Sequence, residues 1–171
     1  MTPGRRSSPI IWTIGHSNTD MDTFLGLLHS HGIVRVVDVR SAPYSRHVPH
    51  FNRTTLKRSL ETSGIRYHYM GEALGGRIQD KGGVWPKTYS HAAGDPSFTC
   101  GIEELLKLAE EGKTVVLCAE RDPNRCHRRH LIGAYLDERN VEVRHILADG
   151  TTVTERELMG LFGKGPETDR S

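Results

Sequence analysis

Thr114–Cys118 reads TVVLC, five uncharged residues of which three are β-branched, set between Gly112-Lys113 and a polar stretch. A run with no polar side reads as a strand buried on both faces, and such strands belong to parallel sheets covered by helices on both sides. The remaining chain is consistent with this. Ile10–Ile14, Ile33–Val39, Ile65–Tyr69 and Glu142–Leu147 read as further strands. Helical periodicity separates them. Phe24, Leu27, Leu28 and His31 share one face of a helix opened by a Thr19/Asp22 capping box and ended before Gly32. Asn52 is placed to cap a helix carrying Leu56 and Leu60 that stops at Gly64. Phe98–Glu111, with Ile102, Leu105, Leu106 and Ala109, stops at Gly112. Thr154 and Glu157 form a second capping box before Leu158, Leu161 and Phe162. This alternation predicts an α/β domain: a mainly parallel central sheet flanked by helices, with active-site loops at the C-terminal strand ends. The expected layout is a flexible tail over 1–9, one domain over 10–162 and a flexible tail over 163–171. Residues 71–97 have six glycines and poor periodicity, which reads as a long functional loop with short helices hidden in it.

The segment after the central strand has the most distinctive chemistry. Asp122-Pro123-Asn124 reads as a turn, and Asn124 as the N-cap of a helix over Arg125–Asn140 that buries Ile132, Tyr135 and Leu136. Arg125, Arg128 and Arg129 then crowd a first turn whose free N–H groups already favour an anion. That anion is either a ligand phosphate or Glu120 and Asp122 of the same loop. Across the chain, 17 Arg stand against 6 Lys at a net charge of only +2, and arginine suits bidentate recognition of phosphate or carboxylate. Arg40, Arg46, Arg125 and Arg128 are the leading phosphate ligands, with Ser17, Ser41, Tyr44, Cys126 and His127 beside them. Trp85 and Tyr89 are placed to stack on a base. The expected partner is nucleic acid or a phosphorylated small molecule, and no membrane.

Two kinds of chemistry fit. Asp38 and Glu120, with His16, can supply a catalytic carboxylate pair and a base; the plainer alternative pairs Asp38 with Arg40 or Arg121 and makes His16 a helix cap. Cys118 and Cys126 are the reactive-thiol alternative, since Cys126 lies near a helix start among arginines. Seven residues separate the two, unlike a CxxC redox pair. Zinc at Cys118, Cys126, His127 and His130 has the right ligand types, but the spacing fits no usual structural site and the arginines repel a cation. No metal or cofactor is expected, although a divalent cation between Asp38 and Glu120 is possible. Three widely spread cysteines do not form a disulfide framework and point to a reducing cytoplasm. No apolar run reaches the roughly 20 residues that span a bilayer, and MTPGRRSSP leads into no signal core. Walker, GxGxxG, HExxH and GxSxG patterns do not occur.

Thr13-Ile14-Gly15-His16-Ser17, Val37-Asp38-Val39-Arg40-Ser41-Ala42-Pro43, Leu74-Gly75-Gly76, Leu117-Cys118-Ala119-Glu120 and Cys126-His127-Arg128 together resemble the DUF488 family, over roughly residues 11 to 147. The resemblance implies a compact α/β domain with one polar site built from these segments. It implies no general activity, and nucleic-acid-linked roles are the ones it admits. Val37-Asp38-Val39-Arg40 is also faintly similar to an early strand motif of rhodanese domains, but Pro123 and acidic residues interrupt the anion-cradling loop that would follow Cys118. Three readings stand. The first is a hydrolase acting on nucleotides or nucleic acid, such as a DNA glycosylase of repair, using Glu120 or Asp38. The second is a thiol or sulfur-transfer enzyme using Cys118 or Cys126. The third is a non-catalytic module that binds nucleic acid or a phosphoanion.

Overall fold

The apolar runs form the sheet that their patterning predicts. In a computed structural model, which describes residues 8–80 and 82–161, strands β1 (Ile11–Gly15), β2 (Arg35–Asp38), β3 (Arg66–Tyr69), β6 (Thr114–Cys118), β7 (Val143–Ile146) and β8 (Thr152–Thr154) make one sheet in the order β3-β2-β6-β1-β7-β8. The first five of these run parallel, and β8 closes the edge antiparallel to β7. All five residues of β6 are buried, because successive side chains point to opposite covered faces. Val115 and Leu117 meet Trp12, Ile14 and Val36 under helices α1 (Met21–Ser30) and α2 (Arg53–Thr62), through Phe24, Leu28, Leu56 and Leu60. Val116 meets Ile11, Val37 and Val143 on the other face, under α5 (Pro96–Glu111) and the Leu131–Leu136 segment. The chain is thus a single α/β domain with helices on both faces of a mostly parallel sheet. Among the described residues no helix is long and apolar enough to cross a membrane.

Several local expectations are realised and others shift. Gly32 and Gly64 follow α1 and α2 with positive φ, the left-handed turn that glycine adopts without Cβ strain. Thr154 and Glu157 do form a reciprocal capping box at α7 (Glu155–Leu161). At α1 the cap is Asp20 rather than Thr19, accepting from the Thr23 amide at 2.8 Å. Asn52 holds the cap position of α2, but its side chain accepts from the Ser45 amide instead and pins the preceding loop.

The stretch over 71–97 is more ordered than its periodicity predicts. It holds the short helix α3 (Gly71–Leu74), an antiparallel hairpin of β4 (Arg77–Asp80) and β5 (Gly83–Pro86), and helix α4 (Tyr89–Gly94). The helix expected from Arg125 starts later and differently. Asp122, not Asn124, caps a 3-10 turn at Pro123–Arg125, Cys126 is extended, and Arg128–Gly133 is a π-turn leading into α6 (Ala134–Glu138). Such wide turns recur at functional sites. Phe162 and the terminal tails, except residues 8 and 9, lie outside the described residues.

A buried polar relay ties the far edge of the sheet together. Thr13 Oγ1 donates to His145 Nδ1 at 2.7 Å, His145 Nε2 donates to Glu155 at 2.8 Å, and Arg129 pairs with Glu155 at 2.9 Å. Burial lowers the proton affinity of His145, and of His16 across the sheet. A histidine held neutral in the folded state contributes stability above its unfolded value near 6.5, and that stability is lost as pH falls through the lower folded value. The urea midpoint is therefore expected to be lower at pH 5 than at pH 7.5; an equal or higher midpoint at pH 5 would contradict this.

Candidate active site

The loops after β1 and β2 lead to helices on one face of the sheet, while the loop after β6 leads to the other. A crevice opens where such connections part company. Here it is a cleft of about 880 Å³ at the C-terminal ends of the strands. Its walls carry Arg40 and Ser41 after β2, Arg77 and Lys87 from the hairpin, and Cys118, Glu120, Arg125, Cys126, His127 and His130 from β6 onward.

Asp38 lies under this cleft with its carboxylate fully engaged. Oδ1 accepts from the Arg40 amide and Nε, and Oδ2 accepts from Arg40 Nη2 at 2.8 Å and from the Tyr67 hydroxyl at 2.6 Å. Burial and that carboxylate push the Tyr67 phenol up, so it remains a donor. His16 is buried and stacked on Phe51. Its Nδ1–H donates to the Ser17 carbonyl at 2.7 Å, leaving Nε2 to accept from Arg40 at 3.3 Å. Burial, aided by the Arg40 charge, lowers its affinity for a proton. Asp38 and Glu120 sit at the ends of adjacent strands, but in different settings: Asp38 is a buried anchor for Arg40, while Glu120 is exposed and accepts from the Asp122 amide at 3.2 Å.

The sulfur atoms are the surprise. Cys118 and Cys126 are free, buried, and 2.8 Å apart at Sγ. The His127 ring joins them, with Nδ1 at 3.6 Å from Cys118 Sγ and 3.8 Å from Cys126 Sγ. Its Nε2–H donates to the Val39 carbonyl at 3.2 Å, so the Nδ1 lone pair faces the sulfurs. Gly76 makes room for this ring: a Cβ there would stand 2.7 Å from His127 Cγ. The S–H that Cys126 donates, set against burial and helped by the Glu120 backbone N–H and by His127 once its Nδ1 carries a proton, holds the Cys118 thiol well below the usual thiol range. The same hydrogen bond and burial push Cys126 up. These three groups are the cluster among the described residues with metal-ligating atoms in mutual reach. His130 stands apart, exposed, with its Nε2 against the Asn124 carbonyl.

Arg128 holds this loop in shape. It is fully buried, and its guanidinium donates to the carbonyls of Glu120 and, at 3.0 Å, Arg121. No carboxylate pairs with it among the described residues. Gly15 passes so close that a Cβ would lie 1.8 Å from the Glu120 carbonyl. Of the expected phosphate ligands, Arg40, Ser41, Arg125, Cys126 and His127 thus line the cleft, whereas Arg128 faces inward. Ser17 lies beside the cleft and donates its amide to the Ala119 carbonyl. Tyr44 and Arg46 are exposed on the loop after β2, away from the cleft walls. Tyr89 donates to Glu138 and packs at the edge of the core, also away from the walls. The Trp85 side chain lies outside the described residues. Sequence reasoning passed over Arg77, Lys87 and Tyr67; the Gly82-Gly83 turn signal between two short runs was the available clue to the hairpin that presents the first two.

No curated protein and no solved structure matches the chain. A family model described as a domain of unknown function, DUF488, matches residues 20–135. That span takes in α1 through the π-turn, with Asp38, Arg40, both sulfurs and His127, and on this match the protein belongs to the DUF488 family.

Proposed function

We propose that the protein is a thiol-dependent enzyme of the thiol–disulfide exchange class acting on an anionic substrate, with Cys118 as nucleophile. The placement of Cys118 Sγ, 2.8 Å from a second sulfur and 3.6 Å from an imidazole acceptor at the wall of a basic cleft, carries the reading. The thiolate is the reactive form of cysteine, and the S–H that Cys126 donates to Cys118 favours negative charge on that sulfur. Arg125, Arg77 and Lys87 supply the potential that draws in a phosphate or carboxylate group. In the exchange, Cys118 thiolate attacks a substrate disulfide sulfur and expels a thiolate. Cys126 then gives its proton to His127 Nδ1 and attacks the Cys118 sulfur, expelling the second thiolate and closing a Cys118–Cys126 disulfide. Free thiols fit a reducing cytoplasm.

The test uses the reduced chain in a Cys100→Ser background, since Cys100 is exposed, mixed with the anionic disulfide DTNB. The reading expects two fast equivalents of released thiolate per chain, and one from Cys126→Ser. Release no faster than from an unfolded control would overturn it.

A second reading, a hydrolase of nucleotides or nucleic acid such as a DNA glycosylase, is supported by Glu120, the one acidic side chain among the residues of the cleft wall. It expects Glu120→Gln to lose at least about 10²-fold in turnover while keeping its affinity for nucleic acid. Salt-sensitive binding of nucleic acid with no product from either variant would instead favour a binding module.

A further inference from the structure

We propose that Cys118, Cys126 and His127 bind one Zn²⁺ ion, with two sulfurs and the imidazole Nδ1 as ligands and a fourth position open to the basic cleft. Each ligand is placed by a different constraint. Cys118 ends β6, locked in register with Gly15 of β1. Cys126 is the extended residue between the 3-10 turn and the π-turn. His127 is oriented by its bond to the Val39 carbonyl and by the close approach of Gly76. The ring can therefore neither flip nor present Nε2, and its free lone pair points at the sulfurs.

The distances can be compared with what zinc requires. Bonds of about 2.3 Å to sulfur and 2.0–2.1 Å to nitrogen at tetrahedral angles place sulfur and nitrogen about 3.6 Å apart, and two sulfurs about 3.8 Å apart. The sulfur–nitrogen separations are 3.6 and 3.8 Å. The sulfur–sulfur separation of 2.8 Å must widen by about 1 Å, whereas closing a disulfide at about 2.05 Å would shorten it by about 0.8 Å. The pair thus stands between the two arrangements, within reach of either by side-chain rotation.

The surroundings are those of a metal centre. A ligating histidine characteristically donates its other ring N–H to a carbonyl or carboxylate, as His127 does to Val39. The Arg128 amide faces Cys126 Sγ at 3.5 Å. Two thiolates offset the charge of the ion, which removes the objection that the neighbouring arginines repel it. Soft sulfur ligands select zinc over magnesium or calcium, and Asp38, the buried carboxylate that ends the adjacent strand β2, is already filled by Arg40 and Tyr67. Three protein ligands with an open position are the pattern of an exchangeable or catalytic zinc rather than a structural one. The three ligands share the cleft lining with Arg40 and Arg125, so water or an anionic group from the cleft would complete the shell.

The ion would occupy the same atoms as the thiol chemistry proposed above, so the two can be tested together and fail separately. The reduced full-length chain, in the Cys100→Ser background and without oxygen, is titrated with Co²⁺ as an optical probe and then with Zn²⁺. The expected result is one Co²⁺ per chain, with thiolate-to-cobalt charge transfer in the near ultraviolet and the visible bands of tetrahedral cobalt, displaced by Zn²⁺. Cys118→Ser and Cys126→Ser should lose the charge-transfer band, and His127→Ala should weaken binding by at least about tenfold. An octahedral cobalt spectrum, no saturation at one ion, or a spectrum unchanged in the double Cys→Ser variant would overturn the proposal. Because the first readout is on the unmutated site, a variant that fails to fold does not obscure it. Zinc loading should also block thiolate release from DTNB, with a chelator restoring it. A metal-free chain that releases two equivalents but binds no cobalt would refute the zinc site and leave the thiol reading standing. A chain that binds cobalt but releases none quickly when metal-free would do the reverse.

Discussion

Cys118→Ser is expected to lower the rate of the first thiol-exchange step by at least about 10³-fold, because a hydroxyl cannot replace a thiolate as nucleophile at neutral pH. The loss should appear in the rate of thiolate release measured where both proteins are folded, which separates it from any stability change at this buried position. Cys126→Ser is expected to behave differently. It retains the nucleophile but removes the resolving sulfur, so the chain should stop as a mixed disulfide on Cys118, visible as a mass increase of one thionitrobenzoate group. It also removes the S–H that contributes most to stabilising the Cys118 thiolate, so its first step should slow by a smaller factor than in Cys118→Ser. Equal rates for the two variants would mean that the sulfurs do not hold separate roles. Stopped-flow absorbance with mass spectrometry of the quenched protein makes the comparison.

Arg128→Ala is expected to destabilise the fold by about 3–5 kcal/mol, through a large cavity and the loss of two charge-assisted bonds to loop carbonyls. Arg128 is among the largest fully buried side chains of the chain. Its guanidinium bridges the Glu120 and Arg121 carbonyls, so it fixes the path of the loop that carries Cys126 back to Cys118. Its effect on chemistry is therefore positional: at denaturant concentrations where the variant is still folded, alkylation of Cys118 should slow as the second sulfur drifts away. Arg128→Lys should recover part of the stability but not the two-carbonyl geometry, because an ammonium lacks the planar fork. Urea denaturation followed by fluorescence gives the first quantity, and iodoacetamide kinetics mapped by mass spectrometry give the second. A loss of less than about 1 kcal/mol in Arg128→Ala would show that the loop holds its shape without this residue.

The central architecture was legible in the residues themselves. An uncharged five-residue run such as Thr114–Cys118 can satisfy its side chains only between two apolar layers, and helices with periodic leucines supply those layers. The helix stops at Gly32 and Gly64, and the Thr154–Glu157 box, were readable because each involves atoms only a few residues apart. The strand ends also announced the site, since loops leaving one edge of a parallel sheet converge whatever the details of strand order.

What the tertiary structure alone decided is which polar groups are available. Asp38 and Glu120 are both carboxylates after strands, yet Arg40 and Tyr67 fill one and solvent reaches the other. Tyr67 reaches Asp38 from the neighbouring strand β3, 29 residues along the chain. Arg125 and Arg128 are three residues apart, but the turn between them sends one to the cleft and the other into the core. Cys118 and Cys126 have a spacing that matches no redox or metal motif, and they meet because the 3-10 turn and extended Cys126 fold the loop back on its own strand. Sequence determines which chemistry is present and at which edge of the sheet. Pairings between strands, and between a strand end and a loop that returns to it, depend on register and on buried anchors such as Arg128, and these exist only once the chain has folded.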